Sequence, residues 1–371
     1  MKIEDLKGTE ERVLTALRRE QPDRVPVFVY LNPYDEDKWY SEDESYNNLM
    51  EVCKEYSDII YDFHIRTGLF CTAYDYTSEQ TEVSEGVTRI TLHTPDGEIY
   101  HEFSENWRGA GEVKRLITTE EDAERVLSIP YIRPELDLKP YFRKRDELKG
   151  CAIAQVTLSD PICEIAGNMS EETIAMWTIQ NRPLLKELMD QMCERQLDVL
   201  SFCLEQGVGP IYYFNGPEYA LPPLMAPDDF YEFVVEYDRK LIDLIHSYPD
   251  TYVIIHSHGK VSNFLEAFGE IGMDGLNVLE PPPIGDTILA EAKKRVGDKY
   301  CLIGNIQYDD IARGSKETIE QLVKEAIEQG APGGGFILSP CASPYERPLP
   351  EKASENLIHY LKMARIHGVY S

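Results

Sequence analysis

The chain has 371 residues, of which 66 are Asp or Glu and 37 are Lys or Arg, so its formal net charge at pH 7 is −29. A surface this acidic repels DNA, RNA and anionic lipid, because binding to phosphate groups depends on clustered Lys and Arg side chains. The hydrophobic fraction of 42% is typical of a folded globular protein. We therefore expect neither a nucleic-acid partner nor a membrane partner.

The cysteines and the N-terminus indicate where such a protein resides. No eighteen apolar residues run together, and residues 1–5 (MKIED) lack the basic start and apolar core of a signal peptide. Eight cysteines are scattered without a Cys-x-x-Cys pair, in a chain long enough to fold without disulfides. These features predict a cytoplasmic protein with reduced thiols.

Eight short apolar runs recur along the chain, with helical patterns between them. The runs are residues 25–30 (VPVFVY), 58–63 (DIIYDF), 151–157 (CAIAQVT), 210–214 (PIYYF), 252–256 (YVIIH), 275–279 (GLNVL), 300–304 (YCLIG) and 335–338 (GFIL). Runs that are apolar throughout are typical of strands buried on both faces of a parallel sheet. Helical patterns beginning at Pro227, Ser262, Asp286, Lys316 and Glu351 supply crossovers. Eight such units predict the α/β class and a (β/α)8 TIM barrel.

The first half of the chain carries additional segments. Residues 87–103 contain two strand-like runs joined by Pro-Asp-Gly, which predicts a β-hairpin. We expect residues 64–150 to form an insertion or lid that includes this hairpin, and two helices between Cys163 and Gln206. No linker or composition break is visible, so we expect residues 1–371 to form a single domain.

Polar residues follow the predicted strands at their carboxyl ends, where the loops of a TIM barrel converge on one cavity. These residues are Asn215 and Glu218 after the fourth strand, His256 and His258 after the fifth, Glu280 after the sixth, Asn305 after the seventh and Cys341 after the eighth. We therefore expect the chemistry of the protein to lie at this end of the barrel.

The His-x-His pair predicts a metal site. Residues two apart on an extended strand face the same side, so His256 and His258 can bind one ion, and Cys341 can complete a three-ligand catalytic zinc site. Cys341 can instead be a nucleophile activated by these histidines, or an inert buried thiol. One histidine can equally cap a helix while the other lines a polar pocket.

Two carboxylates and several aromatic residues complete the predicted site. Glu218 and Glu280 are candidate fourth ligands or acid-base catalysts, although in so acidic a chain each can simply be solvated. Aromatic rings after the first two strands can hold a flat apolar substrate, or can belong to the core. We assign substrate binding to Tyr30, Asn32, Phe63, His64, Tyr213, Asn215 and Asn305.

Taken together, the motifs resemble the uroporphyrinogen decarboxylase superfamily. The matching segments are residues 11–17 (ERVLTAL), 22–27 (PDRVPV), 224–230 (LMAPDDF), 256–259 (HSHG), 275–282 (GLNVLEPP) and 333–341 (GGGFILSPC). They cover nearly the whole chain in the family's order. The true decarboxylases carry an arginine-rich signature after the first strand, whereas here residues 27–37 (VFVYLNPYDED) are aromatic and acidic. Such a segment disfavours a polyanionic tetrapyrrole substrate.

The chain looks more like the cobalamin-dependent methyltransferase branch. In that branch zinc is held by His-x-Cys-Gly after strand five and by a cysteine after strand eight, which implies His256, His258 and Cys341 here. The departure is His258, where thiol-methylating members have cysteine. With one thiolate and two imidazoles the zinc keeps about one positive charge, so it is a better Lewis acid and a poorer support for a thiolate nucleophile.

The resemblance implies a zinc enzyme that moves a methyl group from a small donor, most plausibly a methoxylated aromatic compound, to the Co(I) of a separate corrinoid protein. Zinc, or a proton from Glu218, would stabilise the charge on the leaving oxygen. The alternatives are transfer from a methylcorrinoid to a thiol or folate, a decarboxylase that needs no metal, and a binding protein that has kept the barrel. The sequence does not determine the oligomeric state.

Overall fold

A curved parallel sheet forms the centre of the computed structural model, which describes residues 8–64, 69–106 and 109–370. Its seven strands are hydrogen-bonded in chain order. They are β1 (Ile59–His64), β6 (Ala152–Ser159), β7 (Ile211–Asn215), β8 (Tyr252–Ser257), β9 (Gly275–Val278), β10 (Cys301–Ile306) and β11 (Phe336–Pro340). The N-terminal residues 1–5, judged above not to be a signal peptide, lie outside the described ranges, as do residues 65–68 and 107–108 of the insertion.

Residues 25–30, here called the closing segment, join the two edges of this sheet. The Phe28 N–H donates to the Leu338 carbonyl at 3.2 Å, and the Leu338 N–H donates to the Pro26 carbonyl at 2.9 Å. On the other side, the Asp58 N–H donates to the Val27 carbonyl at 2.6 Å. The closing segment thus bridges β11 to β1, and the predicted TIM barrel is confirmed.

A buried ion cluster fixes the closing segment at the amino end of the barrel. The Asp58 carboxylate is fully buried and accepts hydrogen bonds from Arg12 at 2.6 Å, from Arg24 at 2.6 and 2.9 Å, and from the Val27 N–H at 3.0 Å. Pairing with two guanidinium groups offsets the cost of burying this charge. One carboxylate therefore connects α1 (Gly8–Leu17), the closing segment and β1.

Helices surround the barrel and connect its strands. Beyond α1 they are α2 (Asn47–Tyr56), α3 (Glu120–Leu127), α4 (Lys139–Glu147), α5 (Pro161–Asn168), α6 (Glu171–Gln180), α7 (Arg182–Glu205), α8 (Pro227–Phe230), α9 (Glu236–His246), α10 (Leu265–Ile271), α11 (Leu289–Val296), α12 (Tyr308–Arg313), α13 (Lys316–Gly330) and α14 (Glu351–His367). The two helices expected between Cys163 and Gln206 are three, because α6 ends at Gln180 and Pro183 stands in the first turn of α7. No described helix has both the length and the apolarity to cross a membrane.

The predicted hairpin is present as part of a four-stranded antiparallel sheet. Its strands are β2 (Ser78–Ser84), β3 (Val87–Thr94), β4 (Gly97–Asn106) and β5 (Gly109–Lys114). Thr94 pairs with Gly97 across the turn, and Leu92 and Ile99 bury one face of the sheet. This sheet lies between β1 and β6 in the chain, as expected for an insertion.

Side chains inside the barrel change from apolar to polar along each strand. Nearer the amino ends of the strands, the interior contains buried apolar side chains, including Phe28, Ile153, Ile211, Ile254 and Ile337. Two residues further along the same strands stand Tyr30, Gln155, Tyr213, His256 and Ser339. Since alternate residues face the same side of a strand, this pattern places a polar cavity towards the carboxyl ends of the strands and apolar packing towards their amino ends.

Candidate active site

A cavity of about 590 Å³ opens at the carboxyl ends of the barrel strands. It contains eight residues that the sequence predicted for the site, namely Tyr30, Asn32, His64, Tyr213, Asn215, His256, His258 and Cys341. Residues far apart in the chain thus meet where a TIM barrel places its chemistry.

Four predicted site residues do not line this cavity. Phe63 lies between Asp62 and His64, which face inward, so its ring points outward and packs on Tyr141 at 5.1 Å between centroids. Asn305 lies in β10 outside the cavity lining. Glu218 and Glu280 are not among the lining residues, although both lie near His258, which is.

The two histidines face each other across the cavity wall. The Nε2 atoms of His256 and His258 are 3.0 Å apart. The Nδ1 of His256 is 2.6 Å from the Asn277 amide oxygen, and the Nδ1 of His258 is 3.2 Å from the Glu280 carboxylate. The Asn277 oxygen and the Glu280 carboxylate can only accept, so each Nδ1 carries a hydrogen, and in the neutral rings each Nε2 presents its lone pair. The Tyr213 hydroxyl, 2.6 Å from His256 Nδ1, donates its own hydrogen to Asn277.

A metal ion between the histidines would satisfy both lone pairs. Zinc bonds of about 2.0–2.1 Å in tetrahedral geometry separate two nitrogen ligands by about 3.3 Å, close to the spacing of the two Nε2 atoms. Orientation of each ring through its other nitrogen is also the usual arrangement around a metal. The histidine pair therefore fits a cation, whereas neither ring caps a helix.

Cys341 lines the same cavity, but among the described residues it does not form a cluster of metal ligands with the two histidines. Its thiol is 1% exposed, its Sγ lies 3.9 Å from the Val278 carbonyl oxygen, and burial together with the Glu280 charge raises its pKa. Over residues 8–64, 69–106 and 109–370, no three His, Cys, Asp or Glu side chains are arranged to hold a metal ion. A zinc site made by all three residues stays a prediction.

The pKa values of the two predicted carboxylates are shifted in opposite directions. Burial alone would raise the pKa of Glu280, but hydrogen bonds from His258 and from the Gly259 N–H at 2.7 Å outweigh burial and lower it. Burial raises the pKa of Glu218 despite the nearby His258. Glu280 thus orients His258, whose pKa it raises by accepting a hydrogen bond, and is poorly suited to donate a proton.

Asn277 is a site residue that sequence reasoning missed. Its fully buried amide oxygen accepts hydrogen bonds from the Tyr30 hydroxyl at 2.8 Å, the Tyr213 hydroxyl at 2.7 Å and His256 Nδ1 at 2.6 Å. Its amide nitrogen donates to the Ile303 carbonyl at 3.3 Å, which fixes the orientation of the group. The available signal was one amide within the otherwise apolar run GLNVL.

Asp62 is a second residue that was missed. It faces the cavity from β1 and accepts hydrogen bonds from Thr157 and from Gln155 at 3.3 Å, while His64 Nε2 lies 2.9 Å away. Burial would raise the pKa of Asp62, yet these partners, with His64 first among them, lower it. The signal was one carboxylate within the run DIIYDF.

Comparisons with known proteins agree with the fold and with the motifs. A family model described as uroporphyrinogen decarboxylase (URO-D) matches residues 98–356, well over half of the chain. The methylcobamide:CoM methyltransferase MtaA of Methanosarcina barkeri is 29% identical over 184 residues, which are 48% of this chain and 51% of that protein. A uroporphyrinogen decarboxylase of Pseudoalteromonas translucida is 27% identical over 154 residues, 41% of each chain.

A solved structure supports the barrel over its full extent. A methyltransferase from Methanosarcina mazei superposes with a TM-score of 0.62 at 18% identity, covering 97% of this chain and 98% of the other. At that identity the likeness concerns the fold. The chain spans about half the length of the curated relatives it matches. The motif resemblance is confirmed, and the chain belongs to the uroporphyrinogen decarboxylase (URO-D) family.

Proposed function

We propose that this protein is a corrinoid-linked methyltransferase that takes a methyl group from a methoxylated aromatic compound and transfers it to the Co(I) of a separate corrinoid protein. The observation that carries the proposal is the pair of imidazoles whose Nε2 atoms face each other, 3.0 Å apart, in the main cavity. The similarity to a methylcobamide:CoM methyltransferase supports corrinoid chemistry.

In this proposal His256, His258 and Cys341 hold a zinc ion. When bound, zinc would act as a Lewis acid that polarises the oxygen of the methyl donor. The residues of the chain prepare this site: Asn277 orients His256, and Glu280 orients His258. Burial lowers the pKa of His256 to about 4, so this ring is neutral at physiological pH and its lone pair is available to a cation.

The lining of the cavity favours a flat and uncharged donor over a porphyrinogen. Rings of Tyr30, Trp39, Tyr40 and Tyr213 line the walls, and an ionised carboxylate, Asp62, stands among them. The described lining residues include no arginine, the side chain best suited to bind carboxylates. A substrate with several carboxylates would meet repulsion here, whereas an aromatic ether can stack on the rings.

The opposite direction is a second candidate, because the similar protein of M. barkeri is named a methylcobamide:CoM methyltransferase. In that direction methylcorrinoid would donate its methyl group to a small thiol. The second imidazole at position 258 supports the first candidate, since it leaves more positive charge on the zinc than a thiolate would.

Zinc content and methyl transfer test the proposal together. We expect about one zinc per chain in the purified protein, and loss of the Co(I) absorbance when cob(I)alamin is mixed with methoxybenzenes. Cys341→Ala should lose most of the zinc and the activity. Cys203→Ala, which removes a fully buried thiol from α7, is the matched control and should keep both.

Three outcomes would contradict parts of the proposal. Reaction of methylcobalamin with thiols alone would show that the direction is the second candidate. Zinc far below one per chain, unchanged in Cys341→Ala, would remove the metal site. Equal loss of zinc in Cys341→Ala and Cys203→Ala would show that the thiol acts only through folding.

A further inference from the structure

The end of β1 carries a histidine and a carboxylate that neither the metal site nor the barrel core requires. Asp62 and His64 are two residues apart, so both side chains face the cavity. His64 Nε2 and Asp62 Oδ2 are 2.9 Å apart. The other carboxylate oxygen accepts hydrogen bonds from Thr157 and Gln155. Asp62 is therefore an ionised and fixed partner for the imidazole.

His64 also stands where two cavities meet. A second cavity of about 310 Å³ extends toward α7, and His64, Thr157 and Asn215 line both it and the main cavity. The His64 side chain is 53% exposed, so its ring can reach a ligand in either cavity and can exchange protons with water. Asp62 is only 32% exposed and is held by three neighbours.

The other acid-base groups near the metal site are less suited to proton transfer with a ligand. Glu280 is bound to His258 and Gly259, and Glu218 is not among the residues that line either cavity. The hydroxyls of Tyr30 and Tyr213 are engaged with Asn277, and burial raises the pKa of both. His64 combines access to the ligand, access to water and a charged partner.

We propose that His64 is the acid-base catalyst of methyl transfer and that Asp62 positions its ring and stabilises its charged form; this rests on the proposed function. The electron pair of Co(I) forms a bond to the methyl carbon, and the methyl–oxygen bond breaks with its electron pair on the oxygen. That oxygen takes a proton from the His64 imidazolium, which regains a proton from water.

In the second candidate reaction, the same residue can act as a general base towards the thiol. The thiol gives its proton to the neutral His64 ring, and its sulfur electron pair forms a bond to the methyl carbon. The cobalt–carbon bond then breaks with its electron pair on cobalt, which restores Co(I). The role of His64 therefore does not depend on which direction is physiological.

The dependence of rate on the leaving group tests this role. His64→Gln and the wild type are compared with cob(I)alamin and a series of para-substituted methoxybenzenes, from methyl-substituted to cyano-substituted. General acid catalysis contributes roughly 10²–10⁴-fold, so we expect a loss of this order for the methyl-substituted donor. The cyano-substituted phenolate needs little protonation, so its loss should be much smaller. Zinc content and KM should stay close to those of the wild type.

His93→Gln is the matched control, because His93 also lies between carboxylates, Glu79 and Glu98, but in the antiparallel sheet outside both cavities. It should behave as the wild type with every donor. Asp62→Asn provides a second variant, and its loss of rate should follow the same dependence on the leaving group with a smaller amplitude.

Several outcomes would overturn the proposal. An equal loss for all donors in His64→Gln, or a change in KM alone, would assign His64 to binding.

If the wild type transfers methyl groups only from methylcobalamin to thiols, the proposed donor is wrong, and the variants are compared with thiols of increasing pKa. His64→Gln should then slow the least acidic thiols most, and a uniform effect would reject the catalyst. Absence of both reactions would reject the proposed function itself.

Discussion

At the scale of single residues, the chemistry of the cavity depends on side chains that hold other side chains in place. His256 can present a lone pair at Nε2 only while its Nδ1–H has an acceptor, and that acceptor is the Asn277 amide oxygen. The same oxygen holds the hydroxyls of Tyr30 and Tyr213. One amide therefore sets both the tautomer of a proposed zinc ligand and the positions of two cavity rings.

Replacing Asn277 should change metal binding more than folding. Asn277→Leu removes the acceptor, and loss of such a partner usually costs about 10–100-fold in metal affinity. Asn277→Asp keeps an acceptor oxygen and should retain zinc. The measurement is the zinc dissociation constant by chelator competition, and the control is Asn356→Leu, because Asn356 is buried in α14 away from the cavity. Equal affinities in Asn277→Leu and the wild type would show that Asn277 does not orient His256.

The sequence predicted some of these residues and missed others for a physical reason. The histidines and Cys341 lie at strand ends, where a barrel displays polar groups, so position alone indicated them. Asn277 and Asp62 lie inside apolar runs, and their roles depend on contacts with other strands that no local pattern encodes. Phe63 was predicted from its aromatic ring, but the alternation of the strand directs that ring outward.

At the scale of secondary-structure elements, two carboxylates meet in the core outside the cavity. Asp160 caps the N-terminus of α5 through the Cys163 N–H, and Asp238 lies on α9. Both are fully buried, and neither oxygen of Asp238 has a hydrogen-bond partner among the described residues. Burial, and for Asp160 also the charge of Asp238, raises the pKa of both carboxyl groups.

This pair makes a prediction about stability and pH. Because the pKa of Asp238 is higher in the folded than in the unfolded protein, the folded state binds more protons above the unfolded value of about 3.9. Stability is therefore lost as the pH rises above that value. Asp238→Asn cannot ionise, so it should raise the free energy of unfolding at pH 8, by about 1.4 kcal/mol for each unit by which folding raises the pKa of Asp238. The gain should shrink towards pH 4.

Urea unfolding at several pH values measures this effect. Asp243→Asn, an exposed position on the same helix, is the control and should change stability little. A destabilised Asp238→Asn protein at pH 8 would show that the carboxyl group has a favourable role in the fold.

The strands were predicted more accurately from the sequence than the helix boundaries were. All seven strands of the sheet were found within a few residues, since buried parallel strands are apolar and flanked by turns. Helix α7 was harder to separate from α6, because both carry apolar residues around the single break at Asn181. The continuous helix expected from Pro227 instead contains a π-helical stretch, Tyr231–Val235.

At the scale of the whole molecule, the net charge of −29 affects encounters with other proteins. A corrinoid partner that is also acidic would be repelled at low ionic strength. The screening length falls from about 30 Å at 0.01 M salt to about 8 Å at 0.15 M. We therefore expect the rate of methyl transfer to an acidic corrinoid protein to rise over this range.

Free cob(I)alamin is the control acceptor in this measurement, because a small corrinoid is much less sensitive to the charge of the whole surface. Its rate should depend little on salt. A steep fall with salt for the corrinoid protein would instead reveal a local basic docking surface, and would contradict the expectation from net charge.

The barrel was predictable because each strand of the sheet has its own apolar run in the sequence. The contacts that close the barrel were not predictable. The closing segment forms no continuous ladder, and it is held by single backbone contacts and by the Asp58 cluster. The partners of Asp58 come from two other parts of the chain, α1 and residues 24–27. Such a cluster depends on tertiary contacts and has no periodic pattern that a sequence can display.

The closing segment also determines when the barrel can be completed during synthesis. Residues 25–30 leave the ribosome more than 300 residues before the Leu338 backbone to which they bond. The Val25 N–H likewise donates to the Gly368 carbonyl at 2.8 Å. Until then, the backbone groups of the closing segment that pair with β11 stay without their partners, and chaperones or a neighbouring nascent chain can bind there.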